Sequence, residues 1–199
     1  GSRPLKLSIN PAIIWLMFAG LITIPDNERI MPSLREAFVD LLHAEHLAVD
    51  AMAKNYASVY LPLAQWLSNR HAQGRRLVGV NGAQGSGKST LCKILALLLQ
   101  QGFGKSVAVL SLDDFYLTRA QRTALAQTVH PLLQTRGVPG THDVALALSV
   151  LSALKHGKPV KLPRFDKAQD DRVAENEWPS IQQPVDIILF EGWCVGVLP

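Results

Sequence analysis

Residues 82–90 read GAQGSGKST and lie between the apolar run Leu77-Val78-Gly79-Val80 and a helical stretch from Leu91 to Gln100. Gly-x-x-x-x-Gly-Lys-Ser between a strand and a helix is the pattern of a phosphate-binding loop. Triphosphate oxygens are anionic and crowded, so a backbone that wraps them must turn tightly with its N–H groups inward. Gly82, Gly85 and Gly87 permit that turn, and Ala83, Gln84, Ser86 and Thr90 supply the remaining backbone of the cradle. The helix that follows presents unpaired N–H groups and a positive dipole end to phosphate. Lys88 is positioned to reach the β and γ phosphates, and the Ser89 hydroxyl to ligate Mg²⁺. The motif implies a bound nucleoside triphosphate and does not say what the triphosphate is used for.

Two further acidic positions stand where such a loop needs them. Asp113 and Asp114 follow the apolar run Val107 to Leu112, and ligands of open α/β sheets bind at the carboxyl ends of strands. An oriented carboxylate there accepts the proton of an attacking hydroxyl; Asp113 is the candidate base, and Asp114 acts through Mg²⁺ or closes the turn. Glu191 ends the apolar run VDIILF beside Gly192, the arrangement of an acid that orients a metal or its water. Basic residues concentrate between Lys161 and Arg172, where Arg164, Lys167 and Arg172 offer partners for a carboxylate or a phosphoryl group. The loop from Thr135 to Asp143 is a second candidate, with His142 as a substrate contact.

Positioning these residues requires a parallel sheet. Strands at Leu77–Val80, Val107–Leu112 and Val185–Phe190 alternate with a helix running from the loop to about Gln101, stopped by Gly102 and Gly104, and with a helix capped by Asp143. The second helix carries Val144, Ala147, Leu148, Leu151 and Leu154 as its core face. Thr118 to Thr141 reads as a polar connection. The expected fold is a three-layer α/β nucleotide-binding domain over residues 75–199, preceded by an apolar segment and a helical preface over residues 1–74. Ser33 is the expected N-cap of the preface, whose apolar positions are Leu34, Phe38, Leu41 and Leu42, then Leu61, Leu63, Trp66 and Leu67. Sheets of this kind hold about five strands and three are legible, so the sheet reads as incomplete at its C-terminal side.

Composition sets outer bounds. The chain has 199 residues, 48% hydrophobic and 18% charged, enough for one packed domain with an appendage. A net charge of +4 without a long basic run suits a small anionic ligand and argues against nucleic acid. Cys92 and Cys194 lie in no metal spacing and read as buried thiols of a reducing cytoplasm. The apolar stretch Ala12–Ile24 is shorter than the roughly 20 residues that span a bilayer; it reads as a cytosolic packing segment, with a signal-like or membrane-associated segment, or a cloning or start-site artefact, as alternatives. No stable membrane association is expected, and the oligomeric state is left open. Gly1 and Ser2 read as the remnant of a cleaved tag.

Taken in order and spacing, GAQGSGKST, LSLDDFYLT, RGVPGTHD, LPRFDKAQDDR and ILFEGW resemble the D-glycerate 3-kinase family, P-loop small-molecule kinases related to the uridine kinase, pantothenate kinase and phosphoribulokinase group. The resemblance covers about residues 75–199. It implies transfer of the ATP γ-phosphate to the 3-hydroxyl of D-glycerate with Mg²⁺, Asp113 as base, and Lys88 and Glu191 in the catalytic set. It also implies that the segment Pro163 to Asp166 and Arg172 lie on the acceptor side and that Glu191 is the acid after the third strand. Joined with the reading of the residues, the candidate set is a nucleotide held by residues 82–90, metal contacts from Ser89, Asp114 and Glu191, and acceptor contacts from Asp113, Tyr116, His142, Arg164 and Arg172. Pantothenate, a nucleoside or a sugar phosphate remain alternative acceptors. The competing reading is an ATP-binding regulatory or assembly protein whose helical preface docks on a partner.

Overall fold

A computed structural model of the chain describes residues 31–74 and 76–196. The apolar stretch at 12–24 lies outside the described residues. The preface consists of helices α1 (Met31–Ala44) and α2 (Val49–Ala53), then a π-helical turn (Tyr56–Tyr60) that runs straight into α3 (Leu61–Ala72). Ser33 does not cap α1: Met31 and Pro32 are already helical, so Ser33 sits inside the first turn. The mixed α/β part follows, with strand β1 (Leu77–Asn81), helix α4 (Lys88–Phe103) and strand β2 (Val107–Ser111). Gly102 lies within α4, and Gly104, in the left-handed region at φ 60°, ends it. Leu112, expected as the last residue of the second strand, instead opens a 3₁₀ turn over Leu112–Phe115.

The polar connection expected between Thr118 and Thr141 contains a helix, α5 (Arg119–Thr128). Thr118 accepts from the Gln121 backbone N–H while the Gln121 side chain returns to the Thr118 N–H, a reciprocal capping box that satisfies two orphan donors of the first turn. A 3₁₀ turn at Pro131–Gln134 and helix α6 (Val144–Lys155) come next, and Asp143 caps α6 by accepting from Leu146 N–H. Short strands then form two antiparallel pairs, β3 (Val160–Lys161) with β6 (Ser180–Ile181) and β4 (Phe165–Asp166) with β5 (Asp171–Arg172). The third long strand, β7, spans Ile187–Gly192, two residues later than expected, so Glu191 lies within it.

The main sheet has the order β1-β7-β2, all parallel. Its register pairs Glu191 with Val80 on one side and with Ser111 on the other. The loop after β1, the end of β7 and the turn after β2 therefore emerge side by side at one edge. Alternation along β7 divides the core. Ile187 and Leu189 join Leu34, Phe38, Leu42, Leu61, Leu67, Ile94 and Leu98 on the side of α1, α3 and α4. Ile188 joins Ala108, Leu110, Phe115, Val150 and Leu154 on the side of α6. The preface thus shares one core with the helix of the phosphate loop. Phe38, fully buried with its ring 5.1 Å from Tyr56 and 5.6 Å from Tyr60, fastens α1 to that core; burying such a side chain is worth roughly 1.5–3 kcal/mol.

Two expected core positions of α6 face outward: Val144 and Leu148 are each 63% exposed, and Ala147, Val150 and Leu154 make the buried face. No helix among the described residues is long and apolar enough to cross a membrane.

Candidate functional site

The loop of residues 82–90 leaves β1 at its carboxyl end and enters α4 at Lys88. Gly87 stands at the helix N-cap with φ 86°, a conformation that costs an L side chain about a kilocalorie or more. That turn aims the first N–H groups of α4 into the loop. The Lys88 ammonium donates to the Ala83 carbonyl at 2.9 Å and so spans the loop. Ser89 Oγ donates to Glu191 Oε1 at 2.9 Å, joining the first turn of α4 to the end of β7. Glu191 is 5% exposed. The close approach that brings β7 against the turn after β2 needs Gly192: a Cβ there would stand 2.7 Å from Leu112 Cβ.

A cavity of about 540 Å³ opens over this edge. Gln84, Gly85, Lys88 and Ser89 of the loop and helix start line it, as do Glu191, Gly192 and Trp193 from the end of β7 and just beyond. The remaining lining residues are Asp113, Tyr116, Arg136, Gly137 and Lys167. Lys167, in the turn between β4 and β5, donates to Asp113 Oδ2 at 2.7 Å. Of the residues read from the sequence, Lys88, Ser89, Asp113, Tyr116, Lys167 and Glu191 thus meet in one cavity with part of the loop.

The other sequence candidates lie outside that lining. Asp114 accepts from Phe165 N–H at 3.1 Å and pairs with Arg164 at 3.2 Å. Burial raises its pKa in spite of both contacts. Arg164 and Asp114 thereby tie β4 to the 3₁₀ turn. Arg172 donates to the Tyr116 carbonyl at 2.7 Å and pairs with Asp143 at 3.0 Å, which links β5 to the cap of α6. His142 stacks on the Tyr116 ring at 4.2 Å between centroids. Burial holds its imidazole below the usual pKa against the opposing charge of Asp113. Among the described residues, the buried Nε2 of His142 has no hydrogen-bond partner. Burial, with the charge of Asp113 second, pushes the Tyr116 phenol upward.

Arg136 and Lys167 are the cations that reach the cavity besides Lys88, and the first of them owes its place to a fully buried arginine. Arg122 of α5 donates to the carbonyls of Leu117 at 3.2 Å, Gln134 at 2.8 Å and Asp170 at 2.6 Å. It also pairs with the Asp170 carboxylate at 3.0 Å. The other oxygen of Asp170 takes Arg136. Both guanidinium groups lie 5.8 Å from the Phe165 ring centroid. Asp170 holds φ 53°, a left-handed conformation that aspartate tolerates better than most residues. The chain 117–122, the loop 134–137 and the β4–β5 hairpin are so braced through one buried side chain.

A donor set of hydroxyl and carboxylate oxygens, Ser89 and Glu191 within 2.9 Å, fits Mg²⁺, which takes one or two protein oxygens and completes its shell with water and phosphate. Among the described residues no group of three or more His, Cys, Asp or Glu side chains forms a closed metal cage.

A phosphate loop at the carboxyl edge of a parallel sheet, faced by two strand-end carboxylates, defines a P-loop nucleotide site of the kinase type. The chain belongs to the Phosphoribulokinase / Uridine kinase family, whose profile matches residues 77–197. It is 41% identical over 132 residues to an uncharacterised kinase, mug58, of Schizosaccharomyces pombe, covering 62% of this chain and 47% of that protein. It is 39% identical over 134 residues to the chloroplastic D-glycerate 3-kinase of Arabidopsis thaliana, covering 62% of this chain and 29% of that one. Among solved structures it is similar to a D-glycerate 3-kinase from Cryptococcus neoformans, with a TM-score of 0.57 and 32% identity over 70% of this chain and 51% of that chain. The chain spans less than half the length of the two sequence relatives.

Proposed function

We propose that the protein transfers the γ-phosphoryl group of ATP to a hydroxyl of a small anionic acceptor, D-glycerate first among the candidates, giving 3-phosphoglycerate and ADP. The observation that supports this reading is one cavity whose lining includes Lys88 and Ser89 together with Asp113, Arg136 and Lys167. The loop suits a triphosphate, and Asp113, with Lys167 on it and Arg136 in the same lining, offers a proton acceptor and two cations. Two relatives named as D-glycerate 3-kinases support the choice of acceptor.

In this reading Lys88 leaves the Ala83 carbonyl for the β and γ phosphate oxygens. Asp113 orients the acceptor hydroxyl and takes its proton as the oxygen bonds to the γ-phosphorus and the bond to the β-phosphate oxygen breaks. Ser89 and Glu191 would hold Mg²⁺, which when bound neutralises charge on the phosphates. The requirement for ATP calls for an ATP-containing compartment, of which we propose the cytoplasm.

The test is ADP release with Mg-ATP alone and with D-glycerate, L-glycerate, pantothenate or uridine. Stimulation by D-glycerate alone is expected. Asp113→Asn is expected to lower that turnover by about 10²–10⁴-fold, the range of general-base contributions, with ATP affinity within about twofold. Turnover within a fewfold of wild type in this variant would remove Asp113 as the base.

A further inference from the structure

Lys167 stands in the turn of a hairpin whose backbone is held on every side. Asp166 Oδ1 accepts from the N–H groups of Ala168 and Gln169 at 2.8 and 3.1 Å. Asp170 is pinned by Arg122, and Asp171 Oδ1 accepts from Arg119 N–H at 2.8 Å. The Lys167 side chain is by contrast 60% exposed. Its stem carries a charge that moves readily while the backbone stays in place. In this structure that charge sits on Oδ2 of Asp113, an oxygen that would accept the acceptor's proton.

Arg136 differs in kind. Its guanidinium is held by Asp170 and lies near the Phe165 ring, so it presents a fixed fork to the cavity. The cavity lining carries three cations, Lys88, Arg136 and Lys167, against two anions, Asp113 and Glu191. With Lys88 committed to the nucleotide, the surplus positive charge lies on the acceptor side.

We propose that the acceptor's anionic group binds between Arg136 and Lys167 and draws Lys167 away from Asp113, so that the base is uncovered only when a charged acceptor is present. The inference rests on the kinase reading above, with Asp113 as base. It makes Lys167 both a specificity determinant and a guard. A neutral alcohol, or water alone, offers Lys167 no competing anion, and Asp113 stays covered. Carboxylate-bearing or phosphate-bearing acceptors satisfy the same chemistry, and the experiment separates them.

The experiment uses the full-length protein and compares wild type with Lys167→Met, Arg136→Met and the conservative Arg136→Lys. Acceptors are tested in pairs of matched shape, D-glycerate against glycerol and pantothenate against pantothenol, with ribose 5-phosphate against ribose as the phosphate pair. ADP formation without acceptor is recorded beside each. Wild type is expected to prefer the anionic member of one pair by about 100-fold or more in kcat/KM. In Lys167→Met that preference falls to within about tenfold, since a charge-assisted hydrogen bond accounts for roughly one to two decades. Acceptor-independent ADP formation rises severalfold, and adding Asp113→Asn cancels the rise. Arg136→Met raises the KM of the anionic acceptor, and Arg136→Lys restores part of it. An active wild type whose anion preference and background hydrolysis are both unmoved by Lys167→Met overturns the inference and leaves the kinase reading standing. A wild type that turns over none of the acceptors overturns both.

Discussion

Replacing Arg122 by Met tests whether one buried cation holds the acceptor side together. The side chain is 0% exposed and its three nitrogens serve three backbone carbonyls and the Asp170 carboxylate. Breaking a buried ion pair from one side costs about 3–5 kcal/mol. The Asp170 side chain is 36% exposed, so water recovers part of its loss and the lower end, about 3 kcal/mol, is the better figure. With a urea slope of about 2 kcal/mol per molar, the unfolding midpoint should fall by about 1.5 M. Tryptophan fluorescence reads the transition, since the chain has four tryptophans.

The same brace predicts a pH signature. Burial alone pushes the Asp170 carboxyl up, but the hydrogen bonds and charges of Arg136 and Arg122 outweigh it and hold the group below its usual range. A carboxylate depressed in the folded state contributes stability above its unfolded pKa of about 3.9 and loses it as pH falls through the folded value. The gap between wild type and Arg122→Met should therefore narrow as the pH is taken from 5 toward 3. Arg122→Lys, which keeps the charge and loses the fork, should fall between the two. A midpoint shift below about 0.5 M in Arg122→Met, where loss of the pair alone demands more, would refute the reasoning.

Two further outcomes are expected. His142 is held neutral by burial, so the unfolded chain protonates first as pH drops below about 6.5, and stability falls over that window; His142→Asn should flatten the urea midpoint between about pH 7 and pH 5, and an unchanged slope would count against the assignment. Burial first and the Glu191 charge second push the Cys92 thiol to about 12, with Lys88 opposing. Native protein at pH 8 should therefore react with a thiol reagent at the half-buried Cys194 and spare Cys92, while protein in urea reacts at both; rapid modification of both thiols in the native state would contradict the burial.

The parts of the site that were legible in the sequence are those whose chemistry is local. A phosphate loop needs contiguous glycines, a lysine and a hydroxyl, and strand-end acids declare themselves by the apolar runs they terminate, as Asp113 and Glu191 do. The cations were harder because neighbouring residues of a hairpin point in different directions. Arg164 and Lys167 both sit in one basic segment, yet the docking of the hairpin sends Arg164 to Asp114 and Lys167 into the cavity. Arg136 stood in a candidate loop without a signal to separate it from its neighbours.

Helix α5 escaped because its one fully buried side chain is Arg122, so it shows no apolar stripe. The capping pattern Thr118-x-x-Gln121 was the available signal. In α6 the difficulty was the reverse: with Val144, Leu146, Leu148, Val150, Leu151 and Leu154 distributed around the helix, hydrophobicity does not single out the packed face.

The order of the main sheet bears on how the molecule is made. β1 and β2 do not touch each other, and the strand that fills the gap between them is the last of the three to be synthesised. A nascent chain that has emerged as far as Pro184 therefore carries β1 and β2 with the edges that face β7 unpaired, and neither the β1-β7-β2 sheet nor the Ser89–Glu191 contact exists. Parallel pairing across so long a separation is slow, and unpaired strand edges invite association with other chains. The nucleotide site is thus completed only once Ile187–Gly192 has been made, and a ribosome stalled before Ile187 would present a chain suited to chaperones and unable to hold ATP in this geometry.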